Sequence, residues 1–130
     1  MKKISIYEKE NLLDRAWFDS SNVLYGECQD KKNDYKTVKI VFKNGAQYLY
    51  LGVNVNDWLM FREAESQGKA LNSYISKKDP VTKKPIYEYR RLEDIDVNEI
   101  ESEYQKVINA QEKPIEIDKE GFYDLAKNVI

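Results

Sequence analysis

KTVKIVFKNGAQYLYL, Lys36 to Leu51, is the stretch whose reading decides the fold. Asn-Gly between two alternating apolar runs is the strongest short-range hairpin signal, because both central residues of a type I′ turn require positive φ. With Asn44 and Gly45 as a two-residue loop, Phe42 faces Gln47, Val41 faces Tyr48, Ile40 faces Leu49, Lys39 faces Tyr50 and Val38 faces Leu51. Directly opposed residues share a face of the sheet. The expected apolar side is therefore Val38, Ile40, Phe42, Leu49 and Leu51, and the expected second side is Lys39, Val41, Lys43, Tyr48 and Tyr50.

That second side has two readings. Two phenol rings two residues apart beside lysines make a platform on which bases stack while ammonium groups neutralise phosphate, each stacked base contributing roughly 1–3 kcal/mol. Alternatively the rings cover a helix or a sister subunit, with lysine stems buried at the margin.

Outward from the hairpin, the period changes after Gly52. Val55, Trp58, Leu59 and Ala64, with Phe61 beside Trp58, form a stripe at helical spacing, and Asn54 or Asn56 offers a cap. Gly68 is placed to end that helix in the left-handed conformation, and Ser66 can cap a short second helix whose Leu71, Tyr74 and Ile75 face inward. Lys77 to Arg91 is interrupted by Pro80 and Pro85, which predicts a basic turn and then a strand from Pro85 to Arg91. Upstream, Lys2 to Tyr7 and Asn22 to Cys28 alternate as strands, Asn11 to Phe18 reads as helical or irregular, and Gln29 to Tyr35 is a charged connection. Downstream, Asp96 to Glu99 has capping-box spacing for a helix to about Ala110. Pro114 separates it from Ile115 to Ile117 and from a last helix capped by Asp118. The expected class is α+β: one domain over 1–130, an antiparallel sheet built on the central hairpin with helices packed on it.

Composition narrows the chemistry. The 130 residues contain no histidine and one cysteine, Cys28, so the commonest general base, the commonest transition-metal ligand and any internal disulfide are lacking. No cofactor or metal is expected. No nucleophile stands beside a recognisable base and no glycine-rich phosphate loop is present, so catalysis is not expected. The first residues return to charge within a few positions and no apolar run approaches a membrane span, so the expected location is the cytoplasm, away from membranes. The formal charge of −2 hides a division: residues 31–91 hold 13 Lys/Arg against 6 Asp/Glu, and the remainder holds 8 against 17. A basic middle between acidic ends suits an anion-binding core with an acidic extension, or acidic helices lying across a basic core.

The run Tyr48-Leu49-Tyr50, Gly52-Val53, Phe61, Ala64-x-Ser66-x-Gly68, Asn72 and Ile75 resembles the KTSC domain, a module named from the carboxy-terminal part of some lysyl-tRNA synthetases and also found alone in bacterial and phage proteins. The likeness covers about Ser20 to Ile75, within a core of about 20–91 followed by an acidic helical extension of about 93–130. The family centres on its Tyr-x-Tyr motif, and the resemblance implies RNA binding. Two departures stand out: Asn54 occupies a position where the family often has proline, and Ser76 one where it often has arginine, a role that would fall to Arg90 or Arg91.

The expected ligand residues are Tyr48, Tyr50, Lys39, Phe61, Asn72, Arg90 and Arg91. Phe61 would be a stacking ring if it escapes the core, Asn72 an amide able to pair with a base edge if it is not a helix-end cap, and the arginines bidentate phosphate contacts. Three partners fit these residues: RNA or another phosphate-bearing nucleotide; a nucleotide immune signal sequestered at subunit interfaces, as in phage anti-defence proteins; or a protein bound by the acidic helices. A homo-oligomer is expected.

Overall fold

The computed structural model describes residues 1–31 and 35–112. The expected segment Ile115 to Ile117 and the helix after Asp118 lie outside them. Two compact units are found, 1–97 and 98–130, and each is treated by itself. In the first, six antiparallel strands follow one another in chain order: β1 (Lys2–Glu8), β2 (Leu13–Phe18), β3 (Val23–Lys31), β4 (Tyr35–Phe42), β5 (Gln47–Leu51) and β6 (Tyr89–Leu92). Between β5 and β6 the chain forms α1 (Val55–Glu63), α2 (Gln67–Ala70) and a π-helical turn, Leu71–Ile75. In the second unit, α3 (Val97–Glu112) carries the Glu103–Lys106 ion pair at 3.4 Å. The expected α+β class is what the chain adopts.

The helices cover one face of the sheet. Ala16, Phe18, Cys28, Val38, Ile40 and Tyr50 from the strands meet Trp58, Phe61, Ala70, Leu71 and Ile75 in a single core. Asn54 starts α1, its side chain accepting the Asn56 N–H at 2.8 Å, and Ser66 starts α2 by accepting from Lys69 N–H at 3.4 Å. Trp58 sits over Gly26 of β3, where an added Cβ would stand 3.2 Å from the indole. The indole N–H donates to Asp14 Oδ2 at 2.7 Å, and Arg62 donates to the same oxygen at 2.6 Å. The absence of a side chain at 26 thus lets α1 approach the sheet closely.

Four expectations are corrected. The hairpin register is the most consequential: Val41 faces Gln47, Ile40 faces Tyr48, Lys39 faces Leu49, Val38 faces Tyr50 and Thr37 faces Leu51. The loop holds three residues, Lys43 to Gly45, not two. Gly45 N–H donates to Phe42 O and Phe42 N–H to Ala46 O, both at 2.9 Å, while Asn44 keeps negative φ and uses its side chain to accept Ala46 N–H at 3.0 Å. Only Gly45 is left-handed, at φ 91°. This is a type I turn closed by a left-handed glycine, the usual three-residue hairpin. One residue of slip moves every β5 side chain to the other face.

The second correction is β2, a strand where a helical or irregular stretch was expected. Its alternation is masked because both faces are apolar: Ala16 and Phe18 point to the helices, Trp17 points away, and all three are buried. Thirdly, Gly68 does not end α1; the helix stops at Ala64, in extended conformation, and Gly68 lies within α2 close to the Asn22 side chain. Lastly, the final strand begins at Tyr89 instead of Pro85. Pro85 bridges to Lys78 within a folded loop, and Tyr87 turns inward to donate to Asp57.

Candidate nucleotide-binding surface

The register slip places Tyr48 and Tyr50 on the helix-covered face with Val38 and Ile40. Tyr50 is 4 % exposed, so its ring belongs to the core; burial holds its phenol above the ordinary pKa, with a Ser76 side-chain hydrogen bond opposing. Lys39 is on the opposite face, opposite Leu49. The expected platform of Lys39, Tyr48 and Tyr50 is therefore not formed.

A different aromatic surface takes its place at the β6 edge. Tyr48 pairs with Arg91 and Tyr50 with Tyr89, so alternation along β6 brings Tyr89 and Arg91 onto the tyrosine face. The Tyr89 ring lies 5.6 Å from Tyr50 and 6.1 Å from Tyr48, and Phe42 meets Tyr48 edge-on at 5.9 Å. The Arg91 guanidinium lies 5.9 Å from the Tyr48 ring centroid while donating to Asp94 at 2.8 Å. Tyr89 remains 50 % exposed. A ring supported from behind by two others and half open to solvent is a stacking surface whose orientation is already fixed.

The loop before β6 supplies cations. Asp79 Oδ1 accepts the N–H groups of Val81 and Thr82, each at 2.8 Å, and Asp79 N–H donates to Lys84 O at 2.8 Å. Those bonds to backbone N–H hold the Asp79 carboxylate below its ordinary pKa. The loop is pinned to α1 by Tyr87, whose hydroxyl donates to Asp57 Oδ2 and accepts Asn54 N–H at 3.1 Å, and by Lys77, 2.7 Å from the same carboxylate oxygen. Lys78, Lys83 and Lys84 have no ion-pair partner among the described residues. Lys84, Pro85, Glu88 and Tyr89 line a shallow depression of about 440 Å³.

Of the remaining expected residues, Phe61 is fully buried, 5.3 Å from Phe18 and 5.9 Å from Trp58 between ring centroids, and offers no face to a ligand. Asn72 is exposed on the π-helical turn. Arg90 points away from Arg91, onto the face that holds Lys39. Thus Tyr48, Tyr50 and Arg91 come together, Lys39 and Arg90 come together elsewhere, and Phe61 joins the core. Tyr89 was absent from the expected set, although its place two residues before Arg91 on a strand is the signal that finds it.

A separate hollow of about 280 Å³ opens beside α1 between Tyr7, Leu12, Cys28, Trp58, Leu59 and Arg62. Burial pushes the Cys28 thiol up to about 12, with the nearby Asp14 charge adding to it, so this thiol is neutral and unreactive. Among the described residues no cluster of three or more metal-ligating side chains occurs, and no helix is long and apolar enough to cross a membrane.

No curated protein and no solved structure matches the chain. A family model does match, over the segment that holds the central hairpin, α1, α2 and the π-helical turn: residues 32–78 correspond to the KTSC domain, which supports placing that segment in this domain family.

Proposed function

We propose that the chain is a binding module for RNA, or for another nucleotide-type ligand bearing phosphate, which it holds at the β6 edge without chemical conversion. The observation that carries this reading is the Tyr89 ring, half exposed yet backed by Tyr48 and Tyr50, with Arg91 beside it and the unpaired lysines of the 78–84 loop alongside. A base stacked on Tyr89 gains roughly 1–3 kcal/mol, and lysines that meet successive phosphates add affinity that falls with salt, by about 0.7 in the log–log slope per phosphate neutralised on a single strand. Because Arg91 keeps Asp94 as a partner, its contact with a phosphate is bought by exchange of that surface pair, which costs little.

The test is fluorescence anisotropy with labelled single-stranded RNA of mixed sequence, at two salt concentrations, on the intact chain. Tyr89→Ala is expected to weaken binding by roughly tenfold or more at unchanged salt slope. Arg91→Gln is expected to weaken it and lower the slope. Absence of binding at low salt, or equal binding by Tyr89→Ala, refutes the reading. A free mononucleotide that binds as tightly as RNA, with subunits associating in native mass spectrometry, would favour sequestration of a nucleotide signal instead.

A further inference from the structure

The sheet face opposite the helices carries a second group of polar side chains. Pairing across β3, β4, β5 and β6 aligns Glu27, Lys39, Leu49 and Arg90 in one row, with Gln29, Thr37 and Leu51 in the next. These residues line a cavity of about 350 Å³, the size of a small-molecule site. Lys39 and Arg90 against Glu27 give the lining a net positive charge.

The carboxylate of Glu27 leaves this charge largely available. Its Oε1 accepts the Tyr25 hydroxyl at 2.6 Å, and that hydroxyl in turn accepts from Arg15 Nε at 2.9 Å. Lys39 Nζ forms an ion pair with the same oxygen at 3.7 Å, beyond hydrogen-bonding distance, so its N–H donors are not committed to that carboxylate. Thr37 is 7 % exposed, and its hydroxyl, the Gln29 amide and the Arg90 guanidinium have no partner among the described residues. Among the described residues only Gln47 Oε1 is a buried side-chain polar atom left without a partner, so the Thr37 hydroxyl meets the cavity as an ordinary donor and not as an unsatisfied one. Four donors of different shape converge there, and the walls beside them are the aliphatic side chains of Leu49 and Leu51.

We infer that this cavity is a binding site for a small organic oxyanion, its phosphate or carboxylate held between Lys39 and Arg90 with Thr37 and Gln29 donating, and its carbon portion lying on Leu49 and Leu51. Arg90 suits the role because its planar fork engages two oxygens of one anion. The site is on the face opposite Tyr89 and Arg91, and it stands whether or not RNA binds at the β6 edge.

The experiment is a ¹H–¹⁵N correlation titration of the full chain with inorganic phosphate, phenyl phosphate and benzoate, at constant ionic strength. Saturable shifts are expected at the backbone amides of Thr37, Leu49 and Leu51 and at the Gln29 side-chain NH₂. Phenyl phosphate should bind more tightly than inorganic phosphate, and comparison with benzoate separates the phosphate from the carboxylate chemistry. Arg90→Gln, an exposed substitution, and Lys39→Gln should each weaken binding at least tenfold, and Thr37→Val severalfold, with unchanged thermal unfolding for Arg90→Gln. Shifts that never saturate, shifts scattered over all surface lysines, equal affinity for phosphate and phenyl phosphate, or full binding by Arg90→Gln would each overturn the assignment. Loss of RNA binding in Tyr89→Ala leaves these shifts in place, so failure of one site is distinguishable from failure of the other.

Discussion

Replacing Gly45 by alanine tests the turn on which the whole register depends, and Gly52→Ala is its internal control. Both glycines have positive φ, 91° and 68°. An L-residue in that region costs about 1–2 kcal/mol, partly offset by about 0.4–1 kcal/mol because alanine restricts the unfolded chain. At Gly52 nothing stands within 4 Å of an added Cβ, so this backbone cost is the full effect, a net of roughly 0–1.5 kcal/mol. At Gly45 the new Cβ would lie 2.6 Å from the Ile95 carbonyl oxygen. That clash cannot be relieved by a side-chain rotation, since the obstacle is backbone. Relief requires the 93–95 segment to move, which strains the Ile95 N–H to Gly45 O bond at 2.9 Å and the Gln47 side-chain bond to Glu93 O at 2.7 Å. Overpacking of this kind costs about 1–3 kcal/mol, so Gly45→Ala should be destabilised by roughly 1–4.5 kcal/mol in total. Urea unfolding followed by tryptophan fluorescence, with ΔG from linear extrapolation, measures both variants. If Gly45→Ala falls within about 0.5 kcal/mol of Gly52→Ala, the packing of the 93–95 segment on the turn, and the register argument with it, is refuted.

Trp58→Phe removes the indole donor to Asp14 and part of the ring that covers Gly26, so a loss of about 1–3 kcal/mol is expected in the same unfolding assay, with retained secondary structure by circular dichroism. Cys28 at about 12 against an ordinary 9.0 has roughly a thousandfold less thiolate at pH 8, so a disulfide reagent should label the folded chain far more slowly than the unfolded one; rapid labelling of folded protein would contradict its burial. The Lys77 pKa is raised above 10.5, first by its hydrogen bond to Asp57, and that of Tyr87 above 10.0, first by burial. Folded-state values above the unfolded ones mean that their stabilising contribution is complete below about pH 10 and is lost as pH rises through the folded values. Thermal unfolding from pH 8 to 11 should therefore show an alkaline fall that is smaller in a Tyr87→Phe, Lys77→Met double variant; an unchanged fall would mean that the Asp57 cluster contributes nothing to it.

Much of the local structure follows from residue identity alone. Asn54 and Ser66 are helix starts because short polar side chains satisfy the first free N–H groups, and α1 lies where Trp58 and Phe61 recur at helical spacing. The presence of a hairpin around Asn44-Gly45 is equally local. β2 was not legible, because apolar residues on both faces erase the polar–apolar alternation by which a strand is recognised in sequence. Pro85 reads as the start of a strand that runs on to Arg91, whereas the inward turn of Tyr87 toward Asp57 breaks it and leaves Tyr89–Leu92 as the paired segment.

The sequence by itself determined that a hairpin turns around Asn44-Gly45 and that two short helices follow it, and it supplies the tyrosines and basic residues of the middle segment. Only the tertiary structure decided which face each side chain occupies. The difference between a two-residue and a three-residue loop is a single left-handed residue, held here by the Ile95 N–H donating to Gly45 O and by the Gln47 side chain donating to Glu93 O, some fifty positions along the chain. Strand side chains alternate with period two, so that one step sends Tyr48 and Tyr50 to the helix side, and Lys39 to the face where it meets Arg90.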